Sequence, residues 1–183
     1  ALGLIYLRFW WAERVRTAYL AFTISCISYT LFSWFELGMM KAATPQDYLF
    51  SAWWAFLPGS VGLISFAWFA YLQLHGRKWL FVTYGSLRIL AIILHLILAN
   101  GINFRRVTAV VGRTVLGETL SYPITVPNPW MVLPHLSHVL LVIFFLDACV
   151  RCWRLGERRQ ALTFGIGTIL FGTTILLFAL SVL

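Results

Sequence analysis

The hydrophobic positions of the chain fall into long runs that short polar or charged segments separate. The runs cover residues 1–11, 17–40, 48–74, 79–100, 130–150 and 161–183. Most of them are near the ~20 residues that an α-helix needs to cross a bilayer. They show no period-two alternation, and a backbone in lipid must satisfy its own hydrogen bonds, so they predict helices rather than barrel strands. The sequence therefore predicts an all-α integral membrane protein with six transmembrane helices in one domain, residues 1–183.

Both ends of the chain lie inside apolar runs, at Ala1-Leu2-Gly3 and at Ser181-Val182-Leu183. We therefore expect the first and last helices to be truncated. On this interpretation the chain is a segment of a longer protein that has seven spans in full.

Composition supports the membrane prediction, because 61% of the residues are hydrophobic and only 11% are charged. The net charge of +8 does not indicate nucleic-acid binding, since the basic residues sit in loops between the runs.

Lys and Arg concentrate on the cytoplasmic side of membrane proteins. One side has eight: Arg14, Arg16, Arg77, Lys78, Arg151, Arg154, Arg158 and Arg159. The other has four: Lys41, Arg105, Arg106 and Arg113. The first side is predicted to be cytoplasmic.

The one long loop, residues 101–129, is then extracytoplasmic. Residues 107–111 and 119–126 are rich in β-branched and aromatic side chains, and Gly112 and Gly117 lie between them. This pattern indicates a β-hairpin that would cover the outer end of the bundle. Arg105 and Arg106 are expected to meet lipid headgroups, with Glu118 or an anionic ligand as the alternatives.

Ionisable residues inside the apolar runs are candidates for function, since their burial in lipid is costly. Arg88 lies near the middle of the fourth run and Asp147 near the inner end of the fifth. We predict that the two form an ion pair, which would tie two helices together or serve gating or proton transfer. Glu36 and His95 lie near the outer ends of the second and fourth runs.

Three histidines are expected at one depth near the outer surface. His135 and His138 share a face of the fifth helix, and His95 should lie level with them, as should Glu36. Such a set could bind a transition metal, and a His pair on facing helices could ligate haem. The alternative is that these side chains only anchor helices at the membrane interface. No cofactor is predicted beyond this possible haem or metal.

Other chemistry finds little support in the sequence. Cys149 and Cys152 form a C-x-x-C pair at a helix end. Such a pair could be redox-active or bind a metal, but a chance pair is the simpler interpretation. Together with Cys26, the two cysteines do not form the pattern of a disulfide framework. The chain contains no Walker loop, G-x-S-x-G, H-E-x-x-H or dinucleotide-binding fingerprint. No catalytic residue is predicted.

Several motifs together carry a resemblance to a known family. They are N-F-R-R-V-T at 103–108, L-G-E at 116–118, V-P-N-P-W at 126–130, D-A at 147–148 and W-R-L-G-E-R-R at 153–159. Residues 35–48 and 87–104 are also similar. The chain resembles the multi-pass N-terminal region that precedes PAS and histidine-kinase domains in proteobacterial sensors. In that family Asn and Gln stand where this chain has His95 and His135, so the resemblance does not imply a histidine metal site.

The resemblance implies a sensory input domain of the bacterial inner membrane that serves two-component signalling, with any kinase activity outside this chain. We expect it to be embedded in the lipid bilayer and to form a homodimer or join a larger membrane assembly. One alternative is a haem- or metal-binding redox subunit that exchanges electrons with quinone. Another is an accessory structural subunit. The candidate ligand- or signal-binding residues are Glu36, Arg88, His95, Glu118, Trp130, His135 and His138.

Overall fold

The computed structural model describes the backbone of residues 2–13, 17–115 and 117–182. Side chains inside these ranges are not described at Leu2, Ala12, Glu13, Val115, Phe171, Gly172 and residues 174–182. The predicted basic turn at Arg14 and Arg16 lies outside the described residues, as do the terminal Ala1 and Leu183.

Helices make up most of the described chain. Their order, with the strands, is α1 Leu2–Glu13, α2 Thr17–Met40, α3 Pro45–Leu74, α4 Lys78–Ile97, β1 Phe104–Val115, β2 Glu118–Pro127, a 3₁₀ turn Pro129–Met131, α5 Val132–Arg154 and α6 Arg158–Val182. The predicted helix bounds are reproduced within a few residues, and α3 continues through Pro58.

Four segments of the described chain are long and apolar enough to cross a membrane: Thr17–Met40, Pro45–Leu74, Lys78–Ile97 and Pro129–Arg154. These segments identify a membrane protein, as predicted. Helix α1 has 12 residues and is therefore about 18 Å long, which is less than the ~30 Å of a bilayer core. The prediction of six spans is thus supported for four helices.

Helix α3 begins and ends as its sequence directs. The Thr44 hydroxyl oxygen accepts a hydrogen bond from the Asp47 N–H at 3.2 Å, and Pro45 occupies the first helical position. At the other end, His75 takes a left-handed conformation with φ of 55° and Gly76 follows. Thr44 is therefore the N-cap of α3.

Small residues let α2 and α3 approach closely. Ala21, Ser25 and Ser28 of α2 are buried, and the Ser25 hydroxyl donates to the Gly62 carbonyl oxygen of α3 at 3.2 Å. A Cβ at Gly62 would lie 3.2 Å from the Ser28 Cβ. Such small-residue contacts are the usual means by which helices pack in lipid, where apolar burial gives little drive for association.

The largest buried cluster lies where α3, α4 and α5 meet, towards the turn that joins α3 to α4. It includes Leu74, Tyr84, Leu141 and Phe144, none of which is exposed. We call this the basic end of the bundle, because the turns 75–77 and 155–157 with their basic neighbours lie there.

The opposite end carries the hairpin and is called the hairpin end. Strands β1 and β2 pair antiparallel from Phe104↔Pro127 to Val115↔Glu118, and Gly117 supplies a φ of 88° in the turn. The Ser121 hydroxyl donates to the Ala42 carbonyl oxygen at 2.6 Å, which joins β2 to the α2–α3 loop. The predicted hairpin is confirmed. It packs mainly against the ends of α2 and α3.

Substitution of Gly76 should destabilise the basic end. A Cβ there would lie 2.6 Å from the Phe144 ring, and that ring is held in the core. We expect Gly76→Ala to lower the free energy of unfolding by about 1–3 kcal/mol, as overpacking does. Gly85→Ala in α4 is the matched control, since nothing lies within 4 Å of its Cβ position. Thermal unfolding of the solubilised protein, followed by Trp fluorescence, should show a lower midpoint for Gly76→Ala only; equal midpoints would contradict the packing.

Candidate functional site

Arg88 is a cation buried in the middle of a membrane-spanning helix. It is 4% exposed and shares one face of α4 with Tyr84, Ala91 and His95, which are also buried. Their spacing of three or four residues places all four on the side that faces the bundle. The guanidinium therefore lies among α3, α4 and α5 instead of facing lipid.

The contacts of Arg88 are with neutral groups. Its Nη1 donates to the Ser137 hydroxyl oxygen of α5 at 3.1 Å, and its Cζ lies 5.3 Å from the centre of the Phe56 ring of α3. Its Nε is buried and has no hydrogen-bond partner. Among the residues whose side chains the structure describes, no Asp or Glu forms an ion pair with Arg88. The buried charge therefore lacks a carboxylate counter-ion there.

Other buried polar atoms near Arg88 also lack partners. They are the Tyr84 hydroxyl, one turn along α4, and Nδ1 of His138, next to Ser137 on α5. The Ser60 hydroxyl is unpartnered too, one turn from Phe56 on α3. Buried polar groups without partners are uncommon in native proteins and call for an explanation. We call Arg88, Tyr84, Ser137 and His138 the Arg88 cluster.

The predicted ion pair between Arg88 and Asp147 is wrong. Asp147 instead lies 3.2 Å from Nε of Arg77 and 3.6 Å from Nε of Arg151. The reason is that the two side chains lie at different levels in the bundle. Arg88 is level with Ser137, to which it donates, and Asp147 follows Ser137 by ten residues on α5, or about 15 Å along the helix axis. Asp147 thus joins the start of α4 to α5 at the basic end, where both arginines are about half exposed.

His95 forms a structural clamp. Its Nδ1 accepts a hydrogen bond from the Ile102 N–H at 3.1 Å, and its Nε2 lies 2.9 Å from the Trp53 carbonyl oxygen, to which it donates. The ring lies between those of Trp53 and Phe56, with centroid distances of 4.9 and 4.3 Å. Since both ring nitrogens bind main-chain groups, His95 is not available as a ligand.

The predicted metal site of His95, His135 and His138 is therefore wrong. In the described part of the chain, no group of three His, Cys, Asp or Glu side chains is placed to hold a metal ion. The rings of His135 and His138 lie 6.5 Å apart, one turn from each other on α5. Two histidines on one helix turn do not fit the opposite axial positions of a haem, so the residues do not support that cofactor either.

The remaining predicted residues lie apart from Arg88. Glu36 is half-buried in α2, Glu118 is exposed at the hairpin turn, and Trp130 is 50% exposed in the 3₁₀ turn. No hydrogen bond, ion pair or ring contact of the described residues joins any of them to Arg88. Of the predicted set, the structure brings Arg88, His135 and His138 into one region, since Arg88 donates to Ser137, which lies between the two histidines on α5.

Sequence reasoning missed Tyr84 and Ser137. Tyr84 could have been found from its spacing of four residues before Arg88, which places the two side chains on one face of the helix. Ser137 lies between the two histidines, where a small hydroxyl in an apolar run gives little signal.

A large apolar groove lies apart from the Arg88 cluster, none of whose residues lines it. Its volume is about 1040 Å³, and residues of all helices except α4 line it. Tyr29 of α2 is among them and also packs against the core cluster that contains Tyr84. The groove was not predicted, because it depends on how the helices pack.

No protein-family model, curated protein or solved structure matches this chain. The geometry alone therefore indicates what the site can do. A buried cation, a phenol and an imidazole offer hydrogen bonds and positive charge, while no described carboxylate, metal cluster or activated nucleophile lies among them. This chemistry suits binding of an electron-rich group more than catalysis.

Loss of the His95 clamp should loosen the hairpin end. His95→Phe keeps a ring between Trp53 and Phe56 but leaves the Ile102 N–H and the Trp53 carbonyl without their partner. We expect the free energy of unfolding to fall by about 1–3 kcal/mol for each of these two unpartnered groups. Amide hydrogen exchange at residues 98–103 should become faster. His135→Phe is the control, since no hydrogen bond joins His135 to the described residues. Equal exchange in the two variants would contradict the clamp.

Proposed function

We propose that this chain is a membrane-embedded signal-input domain and that Arg88 is the residue on which the signal acts. The observation that carries the proposal is the buried guanidinium whose contacts are a hydroxyl and an aromatic face. A charge held inside a bilayer without a counter-ion costs several kcal/mol or more. Residues of this kind in spans are characteristic of functional sites.

Arg88 is positioned to couple helices. It lies on α4, donates to Ser137 on α5 and faces Phe56 on α3, so any group that binds the guanidinium changes contacts among three helices at once. A ligand shifts a conformational equilibrium only by its different affinity for the two states. An unpaired buried charge provides such a difference, because an anion stabilises the state in which Arg88 can reach it.

The signal would leave the domain at the basic end. Asp147 joins Arg77 at the start of α4 to Arg151 near the end of α5, so a shift of either helix reaches this ion-pair group. The excess of basic residues favours this end as the cytoplasmic one. Together with the resemblance to sensor N-terminal regions, this supports an inner-membrane input domain, as a homodimer, that addresses a cytoplasmic module of a two-component system.

The other two functions have less support. The redox alternative needs ligands that His95 does not offer. The accessory-subunit alternative needs an apolar contact surface, yet exposed side chains such as Ile89, Ile93 and Leu96 are what lipid contact already requires of α4.

The proposal can be tested in cells whose complete gene carries Arg88→Gln. We expect this variant to change the transcript profile, relative to wild type, in the same genes that respond to deletion of the gene. Arg106→Gln, an exposed arginine of β1, is the matched control and should leave the profile as in wild type. Membrane levels of both variants would be measured alongside.

One result would overturn the signal-input role: a deletion that alters transcription while Arg88→Gln, present at normal level in the membrane, does not. Arg88 would then be a structural residue, and the domain's contribution would be independent of its charge.

A further inference from the structure

A pocket of about 420 Å³ lies at the basic end, between the start of α4 and the last turns of α5. Three arginines line it: Arg77, directly before α4, and Arg151 and Arg154 in the last turn of α5. Among the described residues that line it, the one acidic residue is Asp147. Three guanidinium groups and one carboxylate give these four residues a net charge of +2. The pocket therefore attracts anions.

Asp147 compensates the arginines of this pocket only in part. Its carboxylate lies 3.2 Å from Nε of Arg77 and 3.6 Å from Nε of Arg151, so two positive charges share one negative charge. Arg151 also donates from Nη1 to the His75 carbonyl oxygen at 3.4 Å. The side chain of Arg154 is exposed, and no hydrogen bond or ion pair joins it to the described residues. At least one guanidinium of the pocket is therefore free to bind an anion.

The pocket lies where two membrane-spanning segments end. The segment Lys78–Ile97 begins beside it, and the segment Pro129–Arg154 ends beside it. Trp79 and Trp153 are exposed at these same two positions. Tryptophan side chains at the ends of spans are characteristic of the lipid headgroup region. The three guanidinium groups thus lie at the level of the lipid phosphates.

The rest of the lining includes apolar side chains. Val150 and Leu155 both line the pocket, and both are exposed. Val150 lies one turn before Arg154 on α5, towards the middle of the span. An occupant would therefore meet guanidinium groups and hydrocarbon side by side. The volume of about 420 Å³ is within the range of about 300–1,000 Å³ that ligand sites have.

We infer that this pocket binds an anionic phospholipid, with its phosphate beside Arg77, Arg151 and Arg154 and its glycerol and first acyl carbons beside Val150 and Leu155. Guanidinium groups bind phosphate through paired, charge-assisted hydrogen bonds. A free phosphate would use the arginines alone, whereas a lipid uses the apolar side chains as well. A zwitterionic lipid would bring an ammonium group to a lining that is already positive. The inference goes beyond the proposed function and does not depend on the role of Arg88.

The binding test titrates the purified protein in a neutral detergent with phosphatidylglycerol and, separately, with phosphatidylcholine that has the same acyl chains. Native mass spectrometry counts the lipids that each protein molecule binds. Phosphatidylglycerol should bind at least about tenfold more tightly, because it meets the guanidinium groups without an ammonium group of its own. Inorganic phosphate and pyrophosphate, added separately in excess over the lipid, should not displace it.

Two arginine variants separate the pocket from the general charge of this end. Arg154→Gln should weaken phosphatidylglycerol binding about tenfold, because it removes a charged donor from the pocket. Arg159→Gln is the matched control, since Arg159 is also exposed at the basic end but does not line the pocket. It should weaken binding by less than about twofold, because salt screens charges that do not touch the ligand. Thermal unfolding midpoints equal to that of the wild type would show that both variants are folded.

Three results would overturn the inference. Equal binding of the two lipids would show that the pocket does not select an anion. Equal weakening by Arg154→Gln and Arg159→Gln would show attraction to the basic end as a whole. Displacement of phosphatidylglycerol by inorganic phosphate or pyrophosphate would identify a site for a soluble phosphate instead of a lipid.

Discussion

The charge of Arg88 inside the bilayer is the constraint on which the rest of this structure depends. A guanidinium cannot be deprotonated at ordinary pH, so its charge must be accommodated by its surroundings. The described protein provides a hydroxyl oxygen at 3.1 Å and an aromatic face at 5.3 Å. These groups stabilise the cation only in part. The cation therefore has no charged partner among the side chains that the structure describes.

The helices that surround Arg88 are fixed at both ends. At the hairpin end, His95 joins α4 to the Trp53 carbonyl of α3 and to the Ile102 N–H. At the basic end, Asp147 joins Arg77 to Arg151. Arg88 lies between these two connections along α4. The clamp and the ion pairs thus hold the guanidinium in place while leaving its charge uncompensated.

The sequence predicted the elements better than the contacts. Hydrophobic run length and turn chemistry were enough for α2 and the hairpin, because these follow from local rules. The Arg88–Asp147 pair was wrong because opposite charges on neighbouring helices were matched without their depths. The predicted metal site of three histidines was wrong because the sequence placed them at one level in the membrane but could not show that both ring nitrogens of His95 bind main-chain groups. Tyr29 and the groove depend on how five helices pack, which no local pattern reports.

The most direct test of the central claim measures whether a carboxylate of the protein lies beside Arg88. Solid-state NMR can measure dephasing of ¹⁵N-guanidinium signals by ¹³C-labelled Asp and Glu carboxylates in reconstituted protein, with Arg88→Gln identifying the Arg88 signal. We expect dephasing for Arg77, whose Nε lies 3.2 Å from Asp147, and none for Arg88. Strong dephasing of the Arg88 signal would show an internal counter-ion and contradict the account.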